Sequence, residues 1–211
     1  TFITSLIAGM IRTSTPLLFA ALGELVTERS GILNLSVEGT MLVGALAGFL
    51  TAYKTGSLWL AVLVAALAGG VLCLLMALMT VSLKIDQTVS GLTLNLFASG
   101  ITFYIYRVVF NNVASENLPN IKIFELLRIP LLSKIPVLGE ALFSQYAMTY
   151  LGLLMVPVIS WFLYKTKLGL ELRCIGENPR AIDMKGLNIK VYQYLALFFG
   201  GMMAGVGGSF L

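Results

Sequence analysis

Glu24, Asn34, Ser36, Glu38 and Asn95 stand in or beside long apolar runs, where each polar side chain needs a physical reason to be. An ionised carboxylate facing lipid costs several kcal/mol. Glu24 and Glu38 are therefore expected to face the bundle interior, a partner or water. Glu24, Asn34, Glu38 and Asn95 together could line the path of a polar solute. Capping accounts for part of the same pattern, with Asn34 as a helix N-cap and Glu38 in the first turn complementing the helix dipole. Both readings stay open, because one residue can do both. Asn95, inside the run LTLNLF, suits no cap; a mid-helix amide more often bonds a neighbouring helix than a solute.

Other chemistry is poorly supplied. The chain has no histidine, which removes the commonest general base and metal ligand, and no cluster of cysteines or carboxylates replaces it. Cys73 lies inside an apolar run and Cys174 in a basic stretch, so the two should sit at different depths and not pair. A membrane-embedded enzyme would need a polar constellation that these residues do not provide.

The second informative stretch is LGLELRCIGENPRAIDMKGLNIK, residues 168–190. Asn178 can act as an N-cap with Pro179 at the first helical position. Arg180 to Lys185 would then form about two turns, stopped by Gly186. A short helix of mixed charge between two apolar segments suits docking on a partner, and a solvated connector suits the same residues.

The elements that must carry these residues follow from composition. Of 211 residues 58% are hydrophobic and 11% charged, with a mean hydropathy of +0.91. A soluble domain carries about 25% charged residues. The apolar residues come in blocks rather than in stripes, which predicts an all-α, polytopic transmembrane helix bundle. Four segments are expected to cross, at about Leu33–Tyr53, Leu58–Leu83, Val89–Phe110 and Tyr146–Tyr164, and a fifth begins near Val191. Pro16 to Val26 is too short to span. It predicts either a short helix before a loop or a discontinuous, re-entrant pair broken at Thr27–Gly31. Gly44 and Gly48 on one helix, and Gly201, Gly205 and Gly208 on another, predict closely approaching helices.

The basic residues orient the bundle. Lys165, Lys167, Arg173, Arg180, Lys185 and Lys190 outnumber the acids in residues 165–190, which places that loop in the cytoplasm. Residues 111–144 are balanced and fall outside. They are expected to hold a short interfacial helix around Ile123–Leu127, with turns at Pro119, Pro130 and Pro136. The net charge of +4 is explained by the same rule, and no nucleic-acid partner is indicated. The chain reads as an excerpt, one transmembrane domain over 1–211. Helices are expected beyond its C-terminus and before its N-terminus.

Three ordered blocks give a resemblance. Residues 15–17 followed by GELVTERSGILNLSVEGTMLVGA (23–45), QTVSGLTLNL (87–96), and GENPRA (176–181) leading to GGMMAG (200–205) resemble permease subunits of ABC importers. The subgroup handles simple sugars, nucleosides and branched-chain amino acids, and the wording is most similar to Bmp-type nucleoside permeases. Ribose-type permeases carry a sequence like GGIDLSVGS where SGILNLSVEG stands here, so the aspartate is absent. The resemblance implies that Gly176, Glu177, Asn178, Pro179, Arg180, Ala181 and Asp183 seat in a cytoplasmic ATPase and couple its closure to transport. It implies a second permease, identical or paralogous, an extracytoplasmic solute-binding lipoprotein, and a multi-pass place in the lipid of a bacterial inner membrane. No phosphate-binding loop of the G-x-x-x-x-G-K-[ST] kind is present, so this chain is expected to bind no cofactor and ATP with Mg to sit on the partner subunit. An ion-coupled secondary transporter is the rival class, and it would need no ATPase.

Overall fold

Apolar side chains repeat with helical continuity from residue 2, and the chain folds accordingly. A computed structural model describes residues 2–110, 126–128 and 144–210. Helix α1 spans Phe2–Arg29, α2 Val37–Thr55, α3 Leu58–Ala77 with a π-helical turn at Leu78–Ser82, and α4 Gln87–Phe110. A two-stranded ribbon pairs β1 (Leu126–Arg128) with β2 (Ser144–Tyr146), antiparallel, with Leu126 opposite Tyr146. Helices α5 (Ala147–Lys165), α6 (Lys167–Glu177), α7 (Pro179–Asp183) and α8 (Ile189–Ser209) follow.

Among the described residues, five helices are long and apolar enough to cross a membrane: Leu6–Arg29, Leu58–Ser82, Gln87–Phe110, Ala147–Lys165 and Ile189–Ser209. The expected short segment at Pro16–Val26 is corrected, because it belongs to one helix of 28 residues with Pro16 inside it. The hydroxyls of Thr13, Ser14 and Thr15 donate to the carbonyls of Gly9, Met10 and Ile11, which keeps the turn before the proline bonded. The expected crossing from Leu33 is corrected as well. The chain stays non-helical until Ser36, and α2, with Glu38 in its first turn and Lys54 in its last, is not among the five. Of the expected interfacial helix at 123–127, Leu126 and Leu127 are instead in a strand; Pro119, Ile123, Phe124, Pro130 and Pro136 lie outside the described residues.

Helix α8 is the hub, packed against α1, α2 and α3. Its glycines let backbones meet without intervening side chains, as helix association in lipid favours. A Cβ at Gly205 would meet the carbonyl oxygen of Ala65, one at Gly208 that of Met41, and one at Gly44 would come 2.5 Å from that of Gly205. The glycine pattern thus marks contacts between α2, α3 and α8. A second set of buried apolar residues, Phe19, Leu22 and Val26 of α1 with Ile159 and Leu163 of α5 and Leu172 of α6, closes the other side.

Two groups of contacts define opposite ends. At one, Arg12 donates from Nε to Gln145 Oε1 at 3.1 Å, Tyr146 meets Phe210, and Phe110 stacks with Phe49 and Tyr53. At the other, Gly31 abuts Gly176, the backbone N–H of Leu33 donates to Gln87 Oε1, and Ser82 Oγ lies 2.6 Å from the Tyr194 hydroxyl.

Candidate functional site

The polar residues singled out in the sequence converge on the break between α1 and α2. Helix α1 ends at Arg29, and Gly31 turns the chain with φ +84°, a conformation that suits glycine. Residues 31–36 then fold back along α1, because the backbone N–H of Asn34 donates to Glu24 Oε1 at 2.8 Å. Glu24 lies five residues before the end of α1, roughly 7.5 Å down its axis. The break is therefore set into the bundle rather than looped out of it.

Each polar group in the break is bonded to protein. Thr27 Oγ1 donates to Glu24 Oε2 at 2.9 Å and sits equally close to the Glu24 carbonyl. Asn34 Oδ1 accepts from both the N–H and the hydroxyl of Ser36, at 3.0 and 2.6 Å, and its Nδ2 points at Cys73 Sγ, 3.4 Å away. Thr40 donates to the Ser36 carbonyl and also faces Cys73. From α4, Asn95 closes the break on its other side. Its Oδ1 accepts the N–H of Gly39 at 2.7 Å and its Nδ2 donates to the carbonyl of Leu35 at 2.8 Å. Gly39 is in the first turn of α2, whose leading N–H groups have no partner inside the helix. Asn95 thus supplies from a neighbouring helix the cap that the sequence suggested for Asn34, while Asn34 holds Ser36 instead.

Three of the four nominated path residues, Glu24, Asn34 and Asn95, meet at this break. Glu38 does not join them: it lies in the first turn of α2 and its side chain is exposed on the chain's surface. Their remaining capacities differ. Both asparagines spend their amide groups on protein, whereas each Glu24 oxygen accepts one side-chain or backbone hydrogen and a carboxylate offers about four sites. Sequence reasoning missed Thr27, Thr40, Gln87 and Cys73. Thr27 could have been found as the residue three positions after Glu24 on the same helical face; the others are brought in by packing.

The second nominated group, Gly176, Glu177, Asn178, Pro179, Arg180, Ala181 and Asp183, runs from the end of α6 through α7. Pro179 opens α7 and Asn178 occupies the cap position, as the sequence suggested, but the Asn178 side chain makes no capping bond. Helix α7 is shorter than the two turns expected, ending at Asp183, and Gly186 follows with φ +74°. Glu177, Asn178, Pro179, Arg180 and Asp183 are exposed. The unexpected element is α6, a helix inside the supposed loop. Thr166 caps it by accepting from the N–H of Gly169, and Gly169, Leu172 and Ile175 bury one face at helical spacing.

With both groups in place, the comparisons with known proteins become informative. A family described as the branched-chain amino acid transport system permease component matches residues 6–211. The chain belongs to this permease family. It is similar to a putative glucose ABC transporter permease of Haloferax volcanii, 38% identical over 100% of this chain and 63% of the relative. It is also similar to the nucleoside ABC transporter permease NupC of Lactococcus lactis, at 36% over 97% of this chain and 66% of the relative. The guanosine ABC transporter permease NupQ of Bacillus subtilis is 34% identical over 93% of this chain and 63% of the relative. The chain thus spans less than two thirds of the length of these relatives. No solved structure matches it. Family membership and five candidate spans make the permease a multi-pass membrane protein.

Proposed function

We propose that this permease is a membrane subunit of an ATP-driven importer for nucleosides. The observation that carries the reading is the set-in break at residues 30–36, held by Glu24 and Asn95 within a chain similar to NupC and NupQ. A polar break in a bundle is the membrane form of a solute-facing site. The spare acceptor sites of Glu24, with the exposed carboxylate of Glu38, suit the hydroxyl donors of a ribose ring. Asn34 and Asn95 shape the path by holding the backbone of residues 35–39, which carries Glu38 and lies against Glu24 of α1.

Transport in this reading is powered from outside the chain. Gly176, Glu177, Asn178, Pro179, Arg180, Ala181 and Asp183 seat on a cytoplasmic ATPase, which holds the ATP and Mg; this chain itself binds no cofactor. A second permease, identical or paralogous, completes the path, and an extracytoplasmic solute-binding lipoprotein delivers the solute near residues 111–144. Residues 165–190 face the cytoplasm of a bacterial cell, across the inner membrane. Trp161 and Tyr164 are exposed at the end of α5 beside Lys165 and Lys167, a pairing that marks a membrane boundary.

Uptake of labelled uridine and adenosine into cells carrying the whole transporter tests the substrate, with glucose, ribose and leucine as competitors. Nucleoside uptake blocked only by nucleosides supports the reading. Block by glucose favours the sugar reading, which the Haloferax relative motivates, and block by leucine the branched-chain amino acid reading that the family's description motivates. Uptake that survives loss of the ATPase and collapses with an uncoupler would favour an ion-coupled carrier. Arg180→Ala and Asn178→Ala should weaken capture of the ATPase from detergent extracts; intact capture and transport would remove the coupling assignment.

A further inference from the structure

The two groups of functional residues are joined by a contact between bare backbones. Gly31 and Gly176 face each other with no side chain between them. A Cβ placed on Gly176 would lie 2.5 Å from the Arg29 carbonyl oxygen and 3.2 Å from the Gly31 nitrogen, and one on Gly31 would lie 3.2 Å from the Gly176 Cα. Gly31 also holds φ +84°, which a side chain would strain. Side chains at a junction can change rotamer and absorb a displacement, but backbones in contact have no such slack.

Both sides of the contact are firmly tied. On the α1 side, the Gly31 N–H donates to the Glu28 carbonyl at 2.9 Å, and Ser30 donates from its N–H and its hydroxyl to the Thr27 carbonyl. Thr27 then donates to Glu24, which holds Asn34. Thr27 and Ser30 are both fully buried. On the α6 side, Ile175 is buried beside the contact and Leu172 joins the apolar set shared by α1 and α5. Gly176 itself opens the exposed coupling segment, and Glu177 is the next residue along.

We propose that the Gly31–Gly176 contact makes the end of α1 and helix α6 one moving body, which delivers any displacement of the 176–183 segment to the Glu24–Asn34 break. Gly31 and Gly176 are positioning residues here, not solute contacts. The proposal rests on the coupling reading above. It goes further by naming the route and by requiring that α6 and α1 move together rather than slide. A cavity of about 330 Å³ beside the contact, lined by Leu25, Glu28, Arg29, Arg173, Gly176 and Glu177, gives a place to test this.

Two measurements on the whole transporter decide it. Gly31→Val, on the side of the contact that lies outside the ATPase-seating segment, should keep the ATPase bound at the wild-type level while uptake per ATP hydrolysed falls by about tenfold or more. Unchanged uptake, or loss of the ATPase, overturns the proposal. Second, Glu28→Cys with Arg173→Cys, in a Cys174→Ser background, places one thiol from α1 and one from α6 on the walls of the cavity. Bridging them with a short bis-maleimide should leave uptake at the unbridged level, because the two elements do not move against each other. Arrest on bridging overturns the proposal, and this arm decides alone if the valine variant fails to accumulate. Failure of the coupling reading is separately visible, as Arg180→Ala retaining both ATPase capture and transport.

Discussion

Replacing Asn95 by alanine removes two bonds that cross from α4 to the break, and their cost can be worked out. The lost partners are the Gly39 N–H at 2.7 Å and the Leu35 carbonyl at 2.8 Å. In water a buried backbone group left without a partner costs about 1–3 kcal/mol. Inter-helix bonds inside a membrane measure less, about 0.6 kcal/mol on average and up to about 1.7, because the separated helices find other partners. The Gly39 N–H belongs to the start of α2 and cannot turn inward to a helical carbonyl, so the upper part of that range applies to it. Two bonds give about 1–3 kcal/mol in all. Reversible unfolding of the purified permease in mixed detergent micelles reads this directly. Gly39→Ala should be non-additive with Asn95→Ala, because a Cβ at Gly39 would press within 2.8 Å of both Asn95 Oδ1 and the Ala98 Cβ, disturbing the same seam. Unchanged stability with abolished uptake would refute the reasoning, since Asn95 would then be facing the solute rather than holding the backbone.

Glu24→Ala should cost about 1–3 kcal/mol, because the Asn34 N–H loses its acceptor, whereas Glu24→Gln keeps an amide oxygen there and should retain most of the stability while lowering uptake; the pair is separated by measuring unfolding and transport together. Gly205→Val should prevent accumulation of folded protein, since even its Cβ meets the Ala65 carbonyl, while Gly100→Ala, with nothing within 4 Å, should change stability by no more than about 1 kcal/mol, in the stabilising direction. Expression level and thermal unfolding check both. A membrane-impermeant maleimide should modify half-buried Cys174 in inside-out vesicles and not in intact cells, and should leave buried Cys73 untouched in either; labelling of Cys174 from outside would reverse the topology.

Much of the bundle is legible because hydrophobic length is a direct statement about lipid. The apolar blocks at 58–83, 89–110 and 146–164 returned as α3, α4 and α5 within a few residues, and the block from 191 as α8. The glycines of α2 and α8 announced close packing, and those helices do meet there. What misled the eye was local chemistry. Pro16 and Glu24 made the first segment look too short, yet the hydroxyls at 13–15 and the acceptor role of Glu24 let one helix run through both. Leu33 looked like part of a crossing, but Asn34 and Ser36 bond each other and keep the chain out of the helix until Val37. Helix α6 was hidden by its brevity and by its place in a basic stretch: eleven residues are too few to span, although their apolar positions do repeat at helical spacing. That Glu24, Asn34 and Asn95 would meet was suggested by their polarity alone; which partners each would take depended on α4 lying beside the break, which only packing determines.

The arrangement implies that changes of residue type in this break will be costly. Its backbone is held by a carboxylate on α1, an amide on α4 and the Thr40 hydroxyl on α2, while the Cys73 thiol on α3 meets the Asn34 side chain. Each support is one side chain reaching one or two backbone or amide groups, and none of these bonds is an ion pair. Strong mutual attraction between opposite charges would lock the segment and use up the carboxylate that a solute could meet. Single hydrogen bonds instead fix its shape while leaving acceptor sites on Glu24 open. Under the proposed coupling, a small displacement at Gly31 would shift such a segment and let it return, as a site that alternately held and released a solute would require.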